Sequence, residues 1–225
     1  MQTIKTFPVP WTLNGYGYIV LFKARPEWLQ ANAFISEDLK DKYIPSVGAA
    51  MFVNYLDSTA GPYGELLFIP GKFKFPDGTR YSISKIYVSS MESVVNGQNN
   101  WGIPKELADF DFAVQDDGSE RIRINLAGEL IADCRFSSRR PGIPVTTSIL
   151  PKKFRTVAQQ WKGEVFYTSP QARSKLKLAR LQDARFNADL VPDLNQVKVL
   201  AVTKADEMVM QFPEALVSPI GAGYF

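Results

Sequence analysis

Apolar residues in this chain recur at every second position, in short runs bounded by Gly, Pro, Asp or Asn, and that period confines it to sheet-built folds. Residues 16–22 (YGYIVLF), 49–55 (AAMFVNY), 66–70, 81–89 (YSISKIYVS) and 110–114 are rich in aromatic and β-branched side chains and read as strands. Residues 120–136 alternate charged and apolar side chains through a bend at Gly128. Residues 173–181 alternate Lys175 and Lys177 with apolar partners, and 196–203 form a further strand. Helical signals are confined to 26–34, 91–97 and 154–160. Pro76-Asp77-Gly78 and Asp116-Asp117-Gly118 each separate two strand-like runs, and Asp-Gly pairs supply the positive-φ residues of hairpins. No fixed-period repeat or Ser/Gly-rich linker divides the chain, so residues 1–225 are expected to form a single domain. The expected class is mainly β (α+β): a large, mostly antiparallel sheet curled into a barrel or sandwich, with a few helices.

Composition removes several chemistries. The chain has no histidine, which excludes a Ser-His-Asp triad, a Cys-His dyad and an imidazole metal site. A single cysteine, Cys134, excludes an internal disulfide and a multi-thiolate zinc centre, and it reads as a small buried apolar residue. No cofactor or metal is expected. Twenty-six basic against 23 acidic side chains give no global case for nucleic acid. No run approaches the ~18 apolar residues of a membrane span, and a cytoplasmic setting is the default expectation.

Two segments carry possible chemistry. Gly61-Pro62-Tyr63-Gly64-Glu65 places a carboxylate at the start of the apolar run LLFIP, and Asn100-Trp101-Gly102-Ile103-Pro104-Lys105-Glu106 places a lysine after proline among aromatic and aliphatic neighbours. An amine in an apolar surround loses the hydration that favours its charged form. A neutral amine attacks a ketone to form an iminium, an electron sink, and a nearby carboxylate shuttles the protons. The plain alternative is a surface Pro-Lys-Glu turn, with Glu65 solvating a strand end.

These residues resemble the acetoacetate decarboxylase-like superfamily. The similarity runs from Pro8 and Pro10-Trp11-Thr12-Leu13 through Gly15-Tyr16-Gly17, YLDSTAGPYGELLFIPG and ISKIYVSSMESVVNGQNNWGIPKELADF, most of residues 8–112. The resemblance implies a barrel-like fold flanked by helices, a homo-oligomer, a Schiff-base lysine at Lys105 and an active-site glutamate at Glu65. It also implies departures. Acetoacetate decarboxylase activates its lysine with a second, adjacent lysine, and here that position is Glu106, whose carboxylate would favour the ammonium form if it lay close. A family arginine for the substrate carboxylate falls at Asn14 and Gly15, and a second glutamate falls around residues 50–52. The expected function is therefore a Schiff-base lyase on a small oxo acid or related carbonyl compound, decarboxylase-like or aldolase/dehydratase-like. Lys105 is the amine, Glu65 the acid/base, and Tyr63, Trp101 and Glu106 contact substrate, with Tyr87 a further candidate wall residue. One rival is a small-ligand-binding barrel that has lost catalysis. Another is true decarboxylation with Glu106 turned away.

The remaining features carry weaker readings. Arg135, Arg139, Arg140, Lys152, Lys153 and Arg155, with three prolines and no acid among them, suit an anion, a solvated loop or a subunit contact. Gly15-Tyr16-Gly17 leads into a strand, so it is not a dinucleotide fingerprint. The acids from Asp109 to Glu120 lack calcium-loop spacing.

Overall fold

The computed structural model describes residues 4–139 and 141–220. The chain opens with strand β1 (Trp11–Lys23), short helices α1 (Pro26–Asn32) and α2 (Glu37–Lys40), and β2 (Tyr43–Ile44). Strands β3 (Gly48–Ser58), β4 (Tyr63–Ile69), β5 (Lys72–Phe75), β6 (Gly78–Tyr81) and β7 (Lys85–Val88) lead into helix α3 (Met91–Trp101). Then come β8 (Lys105–Leu107), β9 (Asp109–Val114), β10 (Glu120–Leu126), β11 (Glu129–Ser138), β12 (Ile143–Thr146) and the single turn α4 (Lys152–Arg155). Strands β13 (Val157–Trp161), β14 (Glu164–Thr168), β15 (Gln171–Phe186), β16 (Lys198–Phe212) and β17 (Leu216–Pro219) complete the described chain.

An 11-stranded sheet follows the order β8-β7-β4-β3-β1-β16-β15-β11-β10-β9, with β12 added beside β15. Its pairings are antiparallel except β7 with β8. Strands β8 and β9 stand at opposite ends of this order, yet only Ala108 separates them in the chain. The sheet must therefore curl until its edges approach, and it forms a nearly closed barrel, as the period-two pattern predicts. A second, six-stranded sheet, β17-β14-β13-β6-β5-β2, was not foreseen from the sequence.

Several sequence expectations are corrected in detail. The run 81–89 is not one strand: Tyr81 ends β6 in the small sheet, and Lys85–Val88 forms β7 in the large one. The helix expected over 154–160 is only α4. Val157–Trp161 instead pairs with β14 and buries Ala158 and Gln159, a tertiary gain that overrides weak local preference. The segment 120–136 is a hairpin of β10 and β11 turning at Ala127 and Gly128, both at positive φ.

Because the large sheet is covered on both sides, its central strands bury both faces. On β4, Leu66 and Phe68 join one apolar cluster with Tyr18, Phe52 and Phe136, while Tyr63 and Leu67 join a second with Trp11, Val53, Tyr55 and Trp101. Each fully buried side chain of this kind contributes roughly 1.5–3 kcal/mol. Glu65 lies third in β4 and projects into the second cluster, so it is a buried acid inside a strand and not one capping a strand end.

Candidate active site

Helix α3 sets the position of the lysine. Ser90 caps its N-terminus by accepting from the Ser93 N–H at 3.2 Å. Gly102, at φ 63°, ends it in the left-handed conformation that glycine adopts most easily. The chain then reverses through Ile103 and Pro104, and β8 begins at Lys105 alongside Ile86 of β7. Gln98 of α3 donates to the Lys105 carbonyl at 3.0 Å, which fastens the strand to the helix. The lysine stem crosses α3 at Gly97, where a β-carbon would stand 2.7 Å from Cδ. The short helix expected over 91–97 therefore continues to Trp101, with Gly97 as the groove through which the lysine passes and not as a stop.

On β4, Glu65 sits opposite Val88 of β7, and the alternation of these strands turns Glu65 and Lys105 to the same side. Lys105 Nζ donates to Glu65 Oε2 and to Ser93 Oγ, each at 3.0 Å. Tyr55 donates its hydroxyl to the other Glu65 oxygen at 3.1 Å. The pair is desolvated, with each residue only 5% exposed. Tyr63 pairs with Tyr55 across β3 and β4, their ring centroids 4.8 Å apart, and its ring lies 5.1 Å from Lys105 Nζ. Burial, reinforced by the Glu65 charge, pushes both phenols well above the ordinary tyrosine range, so Tyr55 remains a donor. Ser93 also hydrogen-bonds the Tyr63 hydroxyl.

Glu65 and Lys105 face a cavity of about 120 Å³. Tyr63 and Trp101 line it, together with Trp11, which meets Trp101 edge-on at 4.9 Å. Glu106 does not. The alternation of β8 sends it to the opposite side, where it is exposed and accepts from Lys85 Nζ at 2.6 Å, because a solvated carboxylate has no partner among the cavity's aliphatic walls. Tyr87 is also elsewhere: it projects between Ile86 and Val88 into the other cluster and donates to the Leu190 carbonyl at 2.9 Å. Three contributors escaped the sequence reading: Tyr55, Ser93 and Gly97. Ser93 and Gly97 are four apart on α3 and so share its inward face, the spacing by which they could have been found.

Arg135 belongs to β11 and pairs with Asp117, while Arg155 docks on the Pro170 carbonyl; neither lines the cavity, and Arg140 lies outside the described residues. Cys134 is buried, its thiol pushed up by burial. Among the described residues no group of three or more His, Cys, Asp or Glu is placed to hold a metal ion, and no helix is long and apolar enough to cross a membrane.

With this geometry in hand, comparison with known proteins identifies the family. The chain belongs to the acetoacetate decarboxylase family, whose model matches residues 6–193. Among solved structures it is similar to an acetoacetate decarboxylase from Legionella pneumophila, at 16% identity and a TM-score of 0.73 over 98% of this chain and 92% of that one. It is also similar to an acetoacetate decarboxylase-like enzyme from Sphingomonas wittichii RW1, at 13% identity and a TM-score of 0.67 over 94% and 93%. A third is the enduracididine biosynthesis enzyme MppR, described in complex with pyruvate, at 16% identity and a TM-score of 0.58 over 93% and 88%. No curated protein sequence matches the chain significantly.

Proposed function

We propose that this protein is a Schiff-base-forming lyase acting on a small oxo acid or related carbonyl compound, with Lys105 as the amine and Glu65 as the proton carrier. The observation that supports it most is the desolvated Lys105–Glu65 pair at the wall of an apolar cavity, in a chain whose family includes enzymes on this fold. Buried ion pairs are poor stabilisers, because desolvation offsets most of the Coulomb gain. A pair that is the only charged spot on a cavity wall, among the described residues, therefore points to chemistry.

The steps follow from the contacts. Glu65 accepts a proton from the Lys105 ammonium across 3.0 Å. The freed amine attacks the carbonyl carbon, and the carbonyl oxygen takes the proton back from Glu65. A second transfer through Glu65, from the carbinolamine nitrogen to its hydroxyl, releases water and leaves the iminium. Tyr55 holds Glu65 in one orientation throughout, and Ser93 aims the lysine. The iminium then stabilises negative charge developing on the adjacent carbon, which serves decarboxylation, aldol cleavage and dehydration alike. Glu106 sits away from this centre, so its carboxylate does not oppose loss of the lysine proton there. We further propose a cytoplasmic homo-oligomer, and a sedimentation mass above 25.2 kDa is the check on assembly.

Deuterium exchange tests the proposal. Wild-type protein in deuterated buffer is expected to exchange the hydrogens next to the carbonyl of a small ketone or oxo acid, and Lys105→Ala to show only the solvent rate. Equal exchange by both proteins would refute it.

A further inference from the structure

We propose that the cavity selects an uncharged, largely apolar carbonyl compound, a ketone or aldehyde of about six heavy atoms or fewer, over an oxo acid of the same size. The size follows from the volume. An apolar cavity of about 150 Å³ accepts benzene, and this one measures about 120 Å³.

The charge preference follows from how the wall is wired. Among the described residues, Glu65 and Lys105 are the only charged side chains lining the cavity, and each is the other's counter-ion at 3.0 Å. The indole and Tyr55 donors on the wall are already engaged. Trp11 Nε1 donates to the Phe7 carbonyl at 3.2 Å and Trp101 Nε1 to the Pro213 carbonyl at 2.7 Å. Tyr55 is committed to Glu65, while the Tyr63 oxygen accepts from Ser93 and keeps its neutral O–H. Lys105 spends two N–H groups on Glu65 and Ser93, and an ammonium has three. One N–H is left, together with the Tyr63 O–H. Those two donors satisfy a carbonyl oxygen, whereas a carboxylate presents a full charge and about four lone-pair sites. The rest of the wall, including Leu67, Ile86 and Met210, offers only carbon and sulfur. A carboxylate would therefore lie against an apolar wall, beside the like charge of Glu65, with no unpaired cation among the described residues. A neutral ketone loses nothing there: its oxygen meets Lys105 and its alkyl groups meet the wall.

The chemical consequence rests on the Schiff-base reading above. Such a substrate and the Lys105 ammonium give an iminium and one water, a balanced exchange, but it carries no carboxylate to lose as carbon dioxide. The carbon–carbon chemistry open to it is aldol addition or its reverse.

A matched pair of ligands tests the selection on the intact protein. Pyruvate and 3-methyl-2-butanone have the same number of heavy atoms, each with one methyl ketone, and differ in carboxylate against isopropyl. Ligand-observed saturation-transfer titrations are expected to show the ketone binding at least about tenfold more tightly. Equal or tighter binding of pyruvate, or binding of neither, would overturn the selection. Borohydride trapping in the same samples separates the two claims: ketone preference without a trapped adduct removes the Schiff-base reading and leaves the selection standing. A pyruvate adduct together with pyruvate preference does the reverse. In Met210→Arg, a guanidinium on the wall should shift the ratio toward pyruvate by tenfold or more, and an unchanged ratio would show that charge is not what excludes it.

Discussion

Glu65 is gripped from two sides, by the Tyr55 hydroxyl on one oxygen and by Lys105 on the other, and the two contacts have separable consequences. Glu65→Gln keeps the shape but cannot carry a proton, so ketone-dependent deuterium exchange should fall by about 10²–10⁴-fold, the usual worth of a general acid/base. Tyr55→Phe removes only the orienting bond. It should cost about 1–2 kcal/mol in chemical denaturation and slow exchange far less than Glu65→Gln. Comparable losses of exchange in the two variants would mean that Tyr55 itself handles protons. In the sequence, the apolar and Pro/Gly-rich surroundings of Lys105 and Glu65 made them candidates, a surface turn stayed open, and the family resemblance singled them out. Tyr55 was invisible there, because its role depends on the register that sets it opposite Tyr63 on the neighbouring strand.

Helix α3 and strand β8 behave as one device, and Gly97 is where they interlock. Glycine inside a helix costs about 1 kcal/mol relative to alanine, which Gly97→Ala would ordinarily recover. Here the new methyl would stand 2.7 Å from Lys105 Cδ, so in the native protein the substitution should destabilise by about 1–3 kcal/mol through overpacking and displace the amine. In a Lys105→Ala background the clash is absent and the same change should stabilise by up to ~1 kcal/mol. That reversal of sign in thermal denaturation is the signature of coupling, and additive effects would contradict it. The same element shows the limits of reading a sequence. Period two revealed most strands of the large sheet, because those strands repeat a local pattern. The run 81–89 looked continuous because both halves are strand-like, and only three-dimensional pairing sends Tyr81 and Lys85 to different sheets. Residues 157–161 carry no strong strand signal of their own and owe their state to β14.

Across the molecule, a second buried carboxylate, Glu120 on β10, ties the barrel wall together. It accepts from Tyr16 and, at 2.9 Å, from Tyr18, both on β1, and Lys204 of β16 approaches it at 3.3 Å. Burial first, then the hydrogen bond to Glu120, pushes the Tyr16 phenol up to about 12, and Tyr18 moves in the same direction. The sign of the effect on stability is fixed. The unfolded phenol releases its proton near 10.0, before the folded one does, so stability from this group is intact below pH 10 and is lost as pH rises toward about 12. Denaturation midpoints should fall across that window, less so in Tyr16→Phe, and a flat profile would contradict the assignment. The same large sheet that carries this network presents Glu65 and Lys105 on β4 and β8, the two strands that flank β7, so the barrel is the frame that holds the amine and the acid in contact. The most direct test of that arrangement is borohydride reduction with a panel of small carbonyl compounds, followed by mass mapping. The account predicts a stable mass increment on the peptide holding Lys105, absent from Lys105→Ala. An increment on another lysine, or none with any carbonyl compound at mildly alkaline pH, would contradict it.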